Sequence, residues 1–316
     1  MEKTEKLKYF QNKIKEIYGS EVGSNVLKEI ENKSSTSFRI NNLKANKQEV
    51  LSELNKLGFK IIEGEILNSF YIAESSENLS LAKTKAFDEG KIYIQNISSM
   101  IPSLVLNPKP GEDILDLCAA PGSKTTHITA LSDNKAKITA VENNVNRFNL
   151  LKDNCKNQGA TNVLFIRASS QNLLNFYPQF TNFFDKVLCD VPCSNDGLIR
   201  APDSYDFKYW NPKLPKKLSN LQKKLIASGI NMLKNGGTLV YSTCTYSVEE
   251  NEQVINWALK TFPEMEITEI NLENIHIIPG IKAWKGKVFD KGIQKTARIL
   301  PSNYYEAFFI AKLVKK

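Results

Sequence analysis

The chain has 316 residues, 41% of them apolar, with 42 basic against 34 acidic side chains and a net charge of +8. That length suits one large domain with an appendage or two ordinary domains, and that apolar fraction excludes a disordered chain. No apolar run approaches the roughly 18 residues of a membrane span, and the charged opening MEKTEKLKYFQNKIKEIYG has no secretion-signal stretch, so a cytoplasmic location is expected.

The segments EKLKYFQNKIKEIYG and EVGSNVLKEIEN have helical spacing and end at Gly or Asn. SFRINNLK follows as a short strand, then the helix NKQEVLSELNKLGF, which stops at Gly58. KIYIQNISSMIPSLVL predicts a strand and a helix before the Pro/Gly cluster NPKPGE. Residues 1–106 are therefore expected to form a small α/β unit, and residues 107–316 a second domain. In that second part DILDLC, AKITAVE, NVLFIR, FDKVLCD and TLVYSTCT predict strands. Helical segments alternate with them: KTTHITALS, VNRFNLLKDNCKNQG, a long helix closing on Gly236-Gly237, and VEENEQVINWALKTF. The rhythm implies an α/β, Rossmann-like, doubly wound and mostly parallel sheet with helices on both faces. The chain closes on YYEAFFIAKLV, without internal repeats.

Ligands in such sheets sit beyond the carboxyl ends of the strands. LDLCAAPGSKTTH is a strand ending in small residues, where Ala119, Ala120 and Gly122 let a ligand approach the backbone; a plain tight turn is the alternative. It is neither GxGxxG nor a P-loop, which argues against dinucleotides and triphosphates. Glu142 ends the next strand, about 20 residues on, where an acid accepts ribose hydroxyls. Loop and acid together predict a nucleoside cofactor, S-adenosylmethionine.

Residues 208–316 hold 17 basic and 9 acidic side chains, which suits a polyanion such as nucleic acid; solvated lysine faces are the alternative. The five cysteines, 118, 155, 189, 193 and 244, follow no disulfide or zinc spacing. With only His127 and His276 beside them, no metal is expected, and His-based catalysis is poorly supplied. A thiol is nonetheless useful to a methyl-transferring enzyme in one case. The C5 carbon of cytosine becomes nucleophilic only after a thiolate has added to C6. Cys193 and Cys244 offer the thiols, Asp190 a group for the N3/N4 edge of the base, and Lys124 a charge that lowers a neighbouring thiol pKa. Cys118, Cys155 and Cys189 read as buried apolar side chains. His127 reads as structural, and Tyr209 and Trp210 either pack a loop or stack on bases.

LDLCAAPGSKTTHI, CDVPCSNDGLIR and YSTCTYSVEENEQVI resemble three motifs of the Sun-type RNA 5-methylcytosine methyltransferases. SFRINNLK, YIQNISSM and YYEAFFIAKL are similar to further parts of that family, so the likeness runs from about residue 36 to 313. It implies Cys244 as nucleophile, Cys193 in product release, Asp190 on the cytosine and Lys124 in support. It implies cofactor binding by Cys118, Ala119, Ala120, Pro121, Gly122, Ser123 and Lys124, with Glu142, Arg147 and Asp190, and RNA binding by Arg39. Three positions depart from the pattern: Ser169 where an adenine-facing aspartate is usual, Asn195-Asp196-Gly197 after PCS, and Pro301-Ser302 for a proline-histidine pair. The layout is that of short archaeal tRNA enzymes, so tRNA is expected before rRNA, acted on by a monomer. A non-catalytic RNA-binding factor retaining the fold is the alternative.

Overall fold

The computed structural model describes residues 3–32, 34–64, 70–75, 79–200, 207, 210–272, 275 and 277–316. Four short strands, Thr36–Ile40 (β1), Lys60–Glu63 (β2), Tyr71–Glu74 (β3) and Ile92–Ile94 (β4), pair antiparallel in the order β2-β3-β1-β4. The helix Lys47–Lys56 covers this sheet because Val50 and Leu54, one turn apart, pack with Phe38, Tyr71 and Ile92. Asn46 starts that helix by accepting the Gln48 N–H at 2.8 Å. Strands β2 and β3 were not anticipated; each is four residues long, at the low end of what alternation can reveal.

The larger sheet begins with five parallel strands, Asp113–Asp116 (β5), Lys137–Val141 (β6), Val163–Ile166 (β7), Phe184–Asp190 (β8) and Leu233–Thr243 (β9), in the order β9-β8-β5-β6-β7. Six strands follow: Met265–Thr268 (β10), Ile277–Pro279 (β11), Ala283–Trp284 (β12), Lys287–Val288 (β13), Ala297–Ile299 (β14) and Phe308–Lys315 (β15). β15 lies antiparallel on β9, β14 and β10 on β15, and β11 on β14, while β12 and β13 form a separate ribbon. The expected parallel sheet is thus extended by an antiparallel wing.

Side chains on this sheet alternate between two fully covered faces. Ile114, Leu188 and Val240 pack against the helices Ile97–Leu106 and Ser123–Leu131 through Met100, Ile101 and Ile128. Leu115, Val187 and Leu239 face the long helix Leu214–Met232 through Leu225, Ile226 and Ile230. The two N-terminal helices, Lys3–Tyr18 and Ser20–Glu29, send Phe10, Ile14, Ile17 and Val26 into the same core. Among the described residues the β1–β4 sheet and its helix share a small core of their own, while the two N-terminal helices pack into the core of the large sheet. The long helix ends at Met232, ahead of Gly236-Gly237, which lie within β9.

Candidate functional site

Parallel strands deliver their carboxyl ends to one edge, so the loops after β5, β6, β8 and β9 converge there. After β5 the chain turns through Gly122, whose φ of +103° is left-handed backbone that glycine adopts without strain, and enters the helix Ser123–Leu131. Asp190 ends β8, and Cys244 follows the last residue of β9.

A cavity of about 540 Å³ opens at this edge, lined by Cys193, Cys244, Asp190, Lys124, Glu306 and Phe308 among others. The Cys193 and Cys244 sulfurs are 3.3 Å apart. The hydrogen bond shared with Cys244, followed by burial, pushes the Cys193 thiol well above its ordinary value. Asp190 pairs with Lys124 at 2.6 Å and accepts the Ser242 hydroxyl at 2.6 Å. Lys124 Nζ also donates to Ser99 Oγ at 2.9 Å. Its charge is thus committed to Asp190, which corrects the expectation that it serves to lower a thiol pKa. Burial, partly offset by Arg200, pushes the Glu306 carboxyl up to about 7.

A second cavity of about 250 Å³ shares Cys118, Arg147 and Pro192 with the first. Leu117, Val141, Leu221 and Leu225 make apolar walls, and Glu142, Ser169, Ser170 and Gln171 contribute polar groups. Glu142 accepts the Asn144 N–H at 2.8 Å and lies 3.5 Å from the Arg147 guanidinium. Arg147 in turn donates to the Ala120 carbonyl at 2.6 Å, tying the loop after β5 to the one after β6. Asn144 positions Arg147 by capping the helix Val145–Asn157 through the Asn146 and Arg147 N–H groups.

Buried carboxylates hold the thiol-bearing loops. Asp196 accepts the Thr245 hydroxyl at 2.5 Å and the Tyr246 N–H at 2.8 Å, and Lys13 reaches it from the first helix at 3.3 Å. Glu250 accepts the Ser194 N–H and Gln222 Nε2, each at 2.9 Å. The Gly197 N–H donates to the Cys244 carbonyl at 3.1 Å, and a Cβ at Gly197 would lie 2.8 Å from that oxygen. Glycine is needed for this close approach.

Of the residues expected at the site, Cys244, Cys193, Asp190, Lys124, Cys118, Ala120, Pro121, Ser123 and Arg147 line the larger cavity. Glu142 lines the smaller one, with Ser169 beside it. Ala119 and Gly122 shape the turn as buried backbone. Cys118 is half-exposed to both cavities, unlike buried Cys155 and Cys189, so it is more than packing. Arg39 is corrected: it is 1% exposed, bonded to Gln95 at 3.2 Å and Thr126 at 2.7 Å, and braces the small sheet against the helix Ser123–Leu131. Burial lowers its pKa to about 10. Trp210 is buried and stacks on Phe207 at 5.6 Å, so it packs; Tyr209 lies outside the described residues. His127 is buried and held neutral by desolvation, as a structural residue would be. Ser302 presents its carbonyl to Arg200 at 2.8 Å. Glu306, Ser99 and Phe308 also join the site, from the segments YYEAFFIAKL and YIQNISSM, whose likeness to the family named no role for these three residues.

Residues 103–314 match the family model described as 16S rRNA methyltransferase RsmB/F. The chain belongs to that family. Among RsmB/F relatives, the tRNA (cytosine(49)-C(5))-methyltransferase of Pyrococcus abyssi is 38% identical, and the match covers 88% of each chain. The ribosomal RNA small subunit methyltransferase F of Klebsiella pneumoniae is 33% identical over 88% of this chain but 57% of its own. A solved methyltransferase homolog from Pyrococcus horikoshii superposes with a TM-score of 0.83 at 32% identity, covering 98% of this chain and 95% of that one. Among the described residues no helix is long and apolar enough to cross a membrane.

Proposed function

We propose that the protein transfers a methyl group from S-adenosylmethionine to C5 of cytosine in RNA, with tRNA the preferred substrate, through a bond between Cys244 Sγ and C6. The observation that carries this reading is the thiol pair 3.3 Å apart beside the Asp190–Lys124 pair, in one cavity. The smaller cavity fits a nucleoside: apolar walls for the base, Glu142 for the ribose hydroxyls, and Ser169, Ser170 and Gln171 for the polar edge. Arg147 and the Cys118–Lys124 loop join it to the thiols. When bound, S-adenosylmethionine supplies a methyl group on a sulfonium centre.

The protein's own groups divide the rest of the work. Asp190, held by Lys124, accepts from the N4 amine of cytosine. The Cys244 thiolate adds to C6, and electron density moves to C5, which takes the methyl group. Glu306 accepts the C5 proton, since a carboxyl near 7 is matched to proton transfer at neutral pH. The C5–H electron pair then re-forms the ring double bond, and the C6–S pair returns to Cys244. The protonated Cys193 hydrogen-bonds that departing sulfur and eases its release.

The helix Leu214–Met232 exposes Lys216, Lys217 and Lys224, and its Gln222 reaches the Pro192 carbonyl at 2.9 Å. A cationic surface next to the catalytic loop suits a phosphate backbone. Identity of 38% to a tRNA enzyme, against 33% to the rRNA enzyme, supports tRNA. Bisulfite sequencing of tRNA and rRNA incubated with protein and S-adenosylmethionine tests the reading. Protected cytosines in tRNA are expected. Protection confined to rRNA would change the substrate, and methyl groups on N4 or ribose would overturn the chemistry.

A further inference from the structure

We propose that Asn195 is a third catalytic residue of the thiol pair, its carboxamide contacting both sulfurs and stabilising the Cys244 thiolate. This deepens the reading of Cys244 as nucleophile and rests on it. Asn195 Oδ1 lies 3.1 Å from Cys244 Sγ and 3.3 Å from Cys193 Sγ, inside the larger cavity. The backbone at Asn195 is left-handed, with φ +57°, a conformation that asparagine tolerates better than most side chains. The next residues fix its aim. Asp196 is clamped by Thr245 and Tyr246, and Gly197 by the Cys244 carbonyl, so the loop rides on the segment that bears the nucleophile.

A carboxamide has an acceptor end and a donor end of nearly the same shape. With both thiols protonated, the oxygen receives their S–H groups. A half-turn about χ2 brings the N–H groups to a thiolate without moving the backbone. The Cys244 sulfur passes from thiolate to carbon-bound and back to thiolate, and one side chain can follow each change.

The test is the pH dependence of Cys244 alkylation by iodoacetamide, read by peptide mass spectrometry in wild type, Asn195→Gly and Asn195→Asp. Glycine keeps the left-handed backbone and aspartate keeps the shape. Loss of a hydrogen bond to a charged sulfur should raise the Cys244 midpoint by about one pH unit or more. Aspartate should raise it further by like-charge repulsion. Methyl transfer at pH 7 should fall by roughly tenfold in the glycine variant, following the smaller thiolate fraction. Asp190, Lys124, Glu250, Glu306 and Arg147, the other charged groups around the pair, are unchanged throughout the series. A midpoint that stays put or falls in Asn195→Gly would overturn the proposal, and Asn195→Asp decides if the glycine variant does not fold. Alkylation needs neither RNA nor cofactor, so its outcome is separate from any failure to methylate cytosine.

Discussion

Cys193 and Cys244 carry the same thiol, and their surroundings give them different work. The proposed mechanism makes Cys244 the nucleophile and Cys193 the thiol that eases release, and the bond they share, with burial, pushes the Cys193 thiol up. Cys244→Ala should therefore abolish methyl transfer, measured with labelled S-adenosylmethionine and RNA. Cys193→Ala should accumulate a covalent protein–RNA species, visible as a shifted band on a denaturing gel; parental turnover without that band would refute the division of labour. Glu306→Gln should slow turnover by about a hundredfold or more, the usual worth of a positioned base, and leave the methylated Cys244 adduct accumulating on a denaturing gel. The two thiols and Asp190 were legible in the sequence because each sits in a local motif at a strand end. The Lys124–Asp190 pair was not, since it joins residues 66 apart, one in the helix Ser123–Leu131 and one at the end of β8. The burial that shifts Glu306 was illegible for the same reason: it comes from its tertiary surroundings.

Elements at the site are held by buried charges. Arg298 on β14 is 1% exposed and meets both carboxylate oxygens of Glu252 at 2.6 Å, at the start of the helix Glu252–Thr261. The same guanidinium reaches the Tyr246 carbonyl and the Tyr18 hydroxyl at 3.0 Å each. It thus ties the first helix, the segment after Cys244 and the antiparallel wing together. Glu252→Ala leaves this cation buried without its partner and should cost about 3–5 kcal/mol in denaturant unfolding. Replacing Arg298 by methionine as well should recover much of that loss, because the stranded charge is then gone; a strictly additive double variant would argue against coupling. Helical spacing and strand alternation showed most of these elements in the sequence. The wing strands β10 to β14 escaped, being only two to four residues long.

Across the whole molecule, pH should act through buried carboxyls. Burial raises Glu306 from 4.5 to about 7 and Asp116 from 3.8 to about 6. A raised carboxyl stabilises the fold fully below its unfolded pKa, and that contribution is lost as pH climbs to the folded value. For Glu306 the window is therefore pH 4.5 to 7. Glu306→Gln should gain stability over wild type across it and hold a constant advantage above, as chemical unfolding at pH 5, 6, 7 and 8 would show. A gap independent of pH would contradict the shift. Asp116 adds a loss of the same sign between 3.8 and 6, whereas His127, buried and neutral, weakens the fold as pH falls below 6.5. By itself the sequence determined the parallel α/β sheet, the small-residue loop after β5 and the two cysteines that follow strand ends, because periodicity and strand-end motifs are local. The tertiary structure alone decided that the N-terminal helices join the large core, that Arg39 is a buried brace, and that Lys124 serves Asp190. Burial and pairing between distant residues set charge and protonation, and no local pattern of residues encodes them.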